Sequence, residues 1–235
     1  MDISIANITR TCAEKEIYES LLPLDHHHIV ELGCGRAEIT RAIATSGTQR
    51  KISALEVDSI QHHYHLSLND LPNVTFIQAG AESIPLNDAS ADVVMMFKSL
   101  HHVPLGLMKT AMQEIQRVLK NGGYLYISEP IFAGDFNEIL QLFHNEKQVR
   151  EAAFHAIVDA IDCGLFQMQE QIFFNTPMHF DHFTDFEQKV LKATHTEHQL
   201  SEQLYHTVQE AFAKHTSPTG ANFNMPIRVD LLRKA

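Results

Sequence analysis

The chain is short of positive charge. Its 235 residues hold 18 Lys and Arg against 29 Asp and Glu, a formal net charge of −11. A nucleic-acid binder carries a basic face that neutralises phosphates, so this balance speaks against a DNA or RNA partner. Cysteine is sparse as well. Cys12, Cys34 and Cys163 are odd in number and widely spaced, which makes no disulfide framework. A reducing, cytoplasmic setting is the expectation. No apolar run approaches the roughly 18 residues of a membrane span. The opening MDISIANITR lacks the apolar stretch of a signal peptide, so none is expected. Internal repeats and low-complexity tracts are missing too.

What is present is an ordinary apolar content of 44%, enough for a real core. Histidine is the surplus, with 16 residues, half of them grouped at His26–His28, at His62, His63 and His65, and at His101–His102. These groups lack the His-x-x-x-His helical pairing and any Cys partner. Solvated surface histidines, and no metal, are therefore the expectation.

Apolar runs and helical stripes alternate along the first 130 residues. A helix is predicted over 11–22, ended by Pro23. Strands follow at 29–32, 51–57, 73–79, 91–97 and 124–128, where short apolar runs end in turns. Helices are predicted at 36–47, 59–70 and 105–120, the last stopped by Asn121-Gly122-Gly123. Beyond Glu129 the pattern predicts helices at 135–143 and 146–161 and a strand at 166–175 near Pro177. One or two helices follow over 185–215, then a last strand at 227–232. Alternating strands and helices imply a mainly parallel sheet with helices on both faces. Ligands in such sheets bind beyond the carboxyl ends of the strands, where strand order reverses.

The candidate chemistry lies at those ends. The turn Glu31-Leu32-Gly33-Cys34-Gly35-Arg36-Ala37 lets backbone come close to a ligand. A dinucleotide fingerprint needs a third glycine at position 38, which is Glu38, and a carboxylate there disfavours a pyrophosphate. Glu56, at the end of the second strand, follows the turn at the distance of a ribose-binding acid, while Asp58 suits a helix cap. Cys34 has no base partner and reads as a small turn residue rather than a nucleophile. His101, His102 and Glu129 are candidate bases near strand ends. The C-terminal aromatics, including Phe136, Phe143, Phe166, Phe173, Phe174, Phe180, Phe183 and Phe186, are candidates for a pocket or for ordinary core.

Five segments in order carry a resemblance. VELGCGRA, ALEVD, QAGAESIPLNDASADVVMM, FKSLHHVP and MQEIQRVLKNGGYLYISEP resemble the successive motifs of class I S-adenosylmethionine-dependent methyltransferases. The likeness is to the small-molecule type, with motifs like those of ubiquinone and menaquinone methyltransferases. It covers residues 28–130 and nothing in 131–235. It implies an α/β fold: a Rossmann-like seven-stranded, mostly parallel sheet with helices on both faces and a helical cap inserted before the last strand. One domain over 1–235 follows, with its core at about 24–180 and 222–235 and the insertion at about 181–221.

The resemblance also implies roles. Glu31, Gly33, Cys34 and Gly35 would hold the methionyl end of S-adenosylmethionine, and Glu56 its ribose. Val57 would lie against the adenine, with Ala81 and Glu82 at its edge. Phe97, Lys98 and Ser99 would line the sulfonium side, and Tyr18 would close over it. The product would be S-adenosylhomocysteine and the partner a small-molecule methyl acceptor. Three departures stand out: Ala37 for the third glycine, Gly80 for an adenine-binding Asp, and Asn121 for a Pro. The alternatives are an S-adenosylmethionine-binding protein without turnover, a protein or RNA methyltransferase, and an NAD-type oxidoreductase, which Glu38 disfavours. Oligomeric state is left open.

Overall fold

The computed structural model describes residues 1–192 and 200–235. Its centre is a sheet of eight strands. β1 (His28–Leu32), β2 (Lys51–Glu56), β3 (Val74–Gln78), β4 (Ala91–Phe97) and β5 (Leu119–Pro130) pair in parallel. β6 (Phe166–Phe180) and β8 (Gly220–Lys234) complete it, with β8 antiparallel between β5 and β6. The order is β3-β2-β1-β4-β5-β8-β6. All seven expected strands are present. A two-residue β7 (Thr216–Ser217) adds a small hairpin with β8.

Alternation along the strands feeds two cores. Val30, Val94, Met96 and Ile127 point to the face covered by α4 (Met108–Val118) and α6 (Lys147–Asp162). Ile29, Ile52, Val93, Met95 and Tyr126 point to the face covered by α1 (Glu14–Leu21) and α2 (Glu38–Ala44). Burial on both faces is why these strands read as continuous apolar runs.

Several helices are shorter than their apolar stripes, though α6 keeps its expected length. α3 (Ser59–His65) stops five residues before its predicted end, where the Ser67 hydroxyl takes the carbonyl of Tyr64 at 2.6 Å. α4 ends at Val118, and Leu119 already begins β5, so Asn121-Gly122-Gly123 lies inside the strand rather than capping a helix. α5 (Asp135–Leu140) is likewise brief.

The two long strands run past their expected limits. β6 continues through Pro177 to Phe180, and β8 begins at Gly220 instead of 227. A proline lacks the N–H of a ladder, but an edge strand tolerates it. β8 pairs with β5 only from Ile227 onward, so the ribbon of Asn175–Phe180 on Ala221–Pro226 projects beyond the carboxyl end of β5. This ribbon carries α7 (Phe183–Phe186), a turn of π-helix at Glu187–Leu191 and α8 (Glu202–Ala213). Of the predicted 185–215 helical stretch, 193–199 lie outside the described residues. With α5, these elements enclose a third core of Phe136, Phe180, Phe186, Phe212 and Phe223. Residues before α1 bond along β6, where Asn175 donates to the carbonyl of Ile8 and takes the N–H of Cys12.

Candidate functional site

Strand order reverses between β1 and β4, so their carboxyl ends diverge into a crevice. The turn after β1 forms one wall. Gly33 has φ +75°, and a methyl there would fall 2.6 Å from Cβ of Ser99, at the end of β4. The Ser99 hydroxyl donates to the carbonyl of Leu32 at 2.7 Å, which fixes the two strand ends together. Gly33 and Cys34 both donate their N–H to the carbonyl of Leu55, tying the turn to β2 as well. Gly35, at φ +52°, has open space where a side chain would stand. Ala37 keeps the left-handed conformation of the glycine it replaces, with φ +62°.

Glu56 closes this wall. Its buried carboxylate accepts the N–H of Gly35 at 2.7 Å and that of Asp58 at 2.9 Å. Each oxygen keeps a lone pair for a further donor. Asp58 turns away to cap α3 through the N–H of Ile60. Val57 between them is 68% exposed, an apolar side chain standing open beside the acid. His65, which sequence reasoning placed among surface histidines, is buried. It stacks on Phe76 at 4.5 Å and donates to the carbonyl of Gly35 at 2.7 Å. Ala81 is buried, and Glu82 folds its carboxylate back over Gly80.

The other wall is α1 and the end of β4. Tyr18 is buried edge-on against Phe97, ring centres 5.7 Å apart. Lys98, itself at φ +53°, reaches Glu14 at 2.9 Å. The second oxygen of Glu14 is buried beside the Tyr126 hydroxyl. Glu31 is buried under Thr40, whose hydroxyl donates to it at 2.7 Å. Burial pushes the Glu31 carboxyl up to about 7, and the neighbouring charges of Glu56 and Glu14 add to the rise against Thr40 and Lys98. Glu14 and Glu31 therefore share one ammonium here. Burial also drives the Cys34 thiol far up, which removes it as a nucleophile.

The candidate bases lie deeper. His101 is buried rather than solvated, with Nδ1 on the carboxylate of Glu129 and Nε2 3.6 Å from Glu146. Glu129 also takes the N–H of Leu100 at 2.9 Å. Burial opposes charge on His101, but the two carboxylates outweigh it and hold the pKa near 9. Glu146 meets Arg150 at 2.5 Å, and Arg228 meets Asp230 at 2.7 Å. His102 is exposed. Sequence reasoning missed Glu14 and His65, whose partners Lys98 and Gly35 are distant in the chain, and Glu146, which pairs with Arg150 one helical turn on and faces remote His101. The Glu146–Arg150 spacing was a visible signal. The aromatic residues Phe136, Phe180 and Phe186 pack on one another in the cap, so they are core and not pocket lining.

Residues 30–127 match the family model of the methyltransferase domain. A Mycobacterium tuberculosis protein assigned as an S-adenosylmethionine-dependent methyltransferase is 29% identical over 159 residues, which is 64% of this chain and 56% of the relative. An O-methyltransferase of Aspergillus nomiae is 33% identical over 141 residues, covering 57% of this chain and 61% of the relative. The match thus spans little more than half the length of these curated relatives. A solved structure from Bacillus halodurans, assigned as a methyltransferase, superimposes with a TM-score of 0.63 at 16% identity, over 94% of this chain and 97% of its own. Among the described residues no helix is long and apolar enough to cross a membrane. The domain match, the relatives and the shared fold agree with the turn and acid at the switch point: residues 30–127 match a methyltransferase domain and are similar to S-adenosylmethionine-dependent methyltransferases.

Proposed function

We propose that the chain transfers a methyl group from S-adenosylmethionine to a small-molecule acceptor in the crevice between β1 and β4. The observation that carries this reading is Glu56, clamped against the glycine turn by Gly35 with lone pairs to spare. That arrangement suits two ribose hydroxyls, and exposed Val57 suits the face of an adenine. The acid-rich wall of Glu14, Glu31 and Glu56 around Lys98 suits a ligand bearing an ammonium and a sulfonium. The buried Glu14 oxygen, beside the Tyr126 hydroxyl, offers such a ligand an acceptor. An anionic pyrophosphate would be repelled by the same wall. Bound there, S-adenosylmethionine supplies a methyl group on a sulfonium, which leaves as a neutral thioether without needing an acid.

The chain's own task is then to orient. Gly33 and Ser99 fix the two strand ends, and Tyr18 on Phe97 excludes water from the side of α1. Orientation of this kind is worth on the order of 7–11 kcal/mol in favourable cases. Glu129 is engaged with His101 and Leu100, so neither member of that pair is directed at an acceptor as a ready base. The small-molecule reading rests on the cap carried by the ribbon beyond the carboxyl end of β5 and on the net charge of −11. A relative that methylates oxygen agrees with it.

Calorimetric titration with S-adenosylmethionine, wild type against Glu56→Gln, tests the cofactor site. Radiolabelled methyl transfer to panels of phenols, carboxylic acids and amines, with protein and RNA as rival acceptors, tests the rest. Binding that ignores Glu56→Gln removes the proposed site. Label in protein or RNA alone replaces the acceptor class.

A further inference from the structure

His101, His102 and Glu146 come together from two separate parts of the chain. His101 and His102 lie in a 3₁₀ turn, Leu100–His102, after β4; Glu146 precedes α6. One ligand atom from each lies within 4.8 Å of the others, and the two imidazole rings are 4.1 Å apart. We propose that these three side chains form a binding site for a first-row divalent metal ion, with His101 Nε2, His102 and one oxygen of Glu146 as its ligands.

The separation of the two buried ligands supports this. His101 Nε2 and Glu146 Oε1 are 3.6 Å apart, too long for a hydrogen bond. Two donors held at roughly 2.0–2.1 Å by a tetrahedral ion stand about 3.3–3.4 Å apart. Closing that gap asks for a shift of a few tenths of an ångström. His102 is exposed and its ring packs against that of His101, which keeps its nitrogens beside the two buried ligands.

Both buried ligands are already oriented. The other nitrogen of His101 is held by Glu129, which is the carboxylate–histidine arrangement that fixes a metal-bound imidazole. Glu129 is anchored in turn by the N–H of Leu100. The second oxygen of Glu146 is held by Arg150 at 2.5 Å, while His144 lies 3.0 Å from Oε1 itself. Two imidazoles and one carboxylate favour zinc, cobalt, nickel or iron(II) over magnesium or calcium, which prefer all-oxygen shells. Three protein ligands leave a fourth position open. The spacing argument drawn from the sequence pointed away from a metal because Glu146 is remote from the histidine pair in the chain.

The test needs no catalytic assay and does not depend on the cofactor reading. The chain is stripped with chelator, dialysed, and titrated with zinc chloride by calorimetry and with cobalt chloride by visible absorption. One equivalent should bind at micromolar concentration or below, and cobalt should give the strong bands of low coordination. His102→Ala, at an exposed position, should weaken binding at least tenfold. Glu129→Gln, which loosens the support of His101 and also touches the N–H of Leu100, should weaken it by about 10–100-fold in protein shown by circular dichroism to be folded. His63→Ala, at an exposed position in another histidine group, should leave it unchanged. No stoichiometric uptake, uptake indifferent to His102→Ala, or uptake removed by His63→Ala would each overturn the site.

Discussion

Two clusters of buried charge stand at the carboxyl edge of this sheet, and they are built on opposite plans. Around the glycine turn, Glu56 is satisfied by backbone N–H groups and Glu31 by a hydroxyl, and Lys98 is set against Glu14 and Glu31. Behind it, Glu129, Glu146 and Asp230 each meet a side-chain cation: His101, Arg150 and Arg228. The first cluster gives Glu56 backbone partners alone and drives Glu31 toward its neutral form, which leaves acceptor oxygens for a ligand. The second neutralises its acids internally, which stabilises the seam between β5, β8 and α6. Removing a group from the first should therefore alter binding, and removing one from the second should alter folding.

The strongest way to break that contrast is Arg228→Met. Arg228 and Asp230 are both almost fully buried, and Asp230 is otherwise held by Gln171 at 2.7 Å. An unpaired carboxylate left there should cost about 3–5 kcal/mol of stability, read from urea unfolding. Pairing it with Asp230→Leu should restore much of the loss, because the cost is stranded charge and not lost volume. If the single variant unfolds like wild type, the second cluster is not a stabilising seam.

Next in size is the pH response of Glu31. Its folded pKa is raised from the ordinary carboxylate value to about 7, with burial the main cause. A raised pKa means the fold prefers the neutral acid. The stability it contributes is complete below the ordinary range and is lost as pH climbs through about 7. The span is about 3 kcal/mol on full ionisation. Glu31→Gln keeps a partner for Thr40 and should flatten this fall between pH 5 and 8. Under the proposed cofactor site, a cationic ligand should bind more tightly as pH rises from 6 to 8 in wild type and less steeply in the variant. Glu56, Glu14, Lys98, Tyr18 and Cys34 surround this group, so all must stay intact in the comparison.

The two clusters also differed in how far the sequence announced them. Glu31, Gly33, Gly35 and Glu56 lie where short apolar runs end, and a strand end can be read from the run itself. Their geometry follows from the strand pairing, because β1 and β2 in register bring Gly35 to Glu56. In the second cluster Glu146–Arg150 and Arg228–Asp230 are local pairs, but packing alone brings His101 to Glu129 and Glu146. Nothing near Glu146 says that His101 will face it. Histidine composition was misleading for the same reason: His65 and His101 look like their exposed neighbours in the chain but lie inside. The length of β6 and β8 was hidden too, since a proline argues against a strand unless the strand is known to lie at an edge.

Glu56→Gln sharpens the contrast from the other side. Loss of the charged acceptor should weaken S-adenosylmethionine by one to two orders of magnitude, about 1.4–2.8 kcal/mol, with a much smaller change in unfolding. A fall in stability as large as that in affinity would mean that Glu56 serves the turn rather than a ligand.

The smallest effect should come from Lys98→Gln. Its partner Glu14 is 9% exposed, but Lys98 is 32% exposed, so solvent screens the pair and its loss should cost up to about 1 kcal/mol. The consequence should be local, because the pair holds α1 over the crevice while Tyr18 and Ile17 still pack beneath it. Hydrogen exchange should therefore quicken in α1 and stay unchanged in α6 and the cap. Added salt should narrow the difference between variant and wild type, since screening already weakens the native pair. Quickened exchange across α6 as well would mean that the two clusters are coupled through the end of β4, and that the division between a binding cluster and a folding cluster is too sharp.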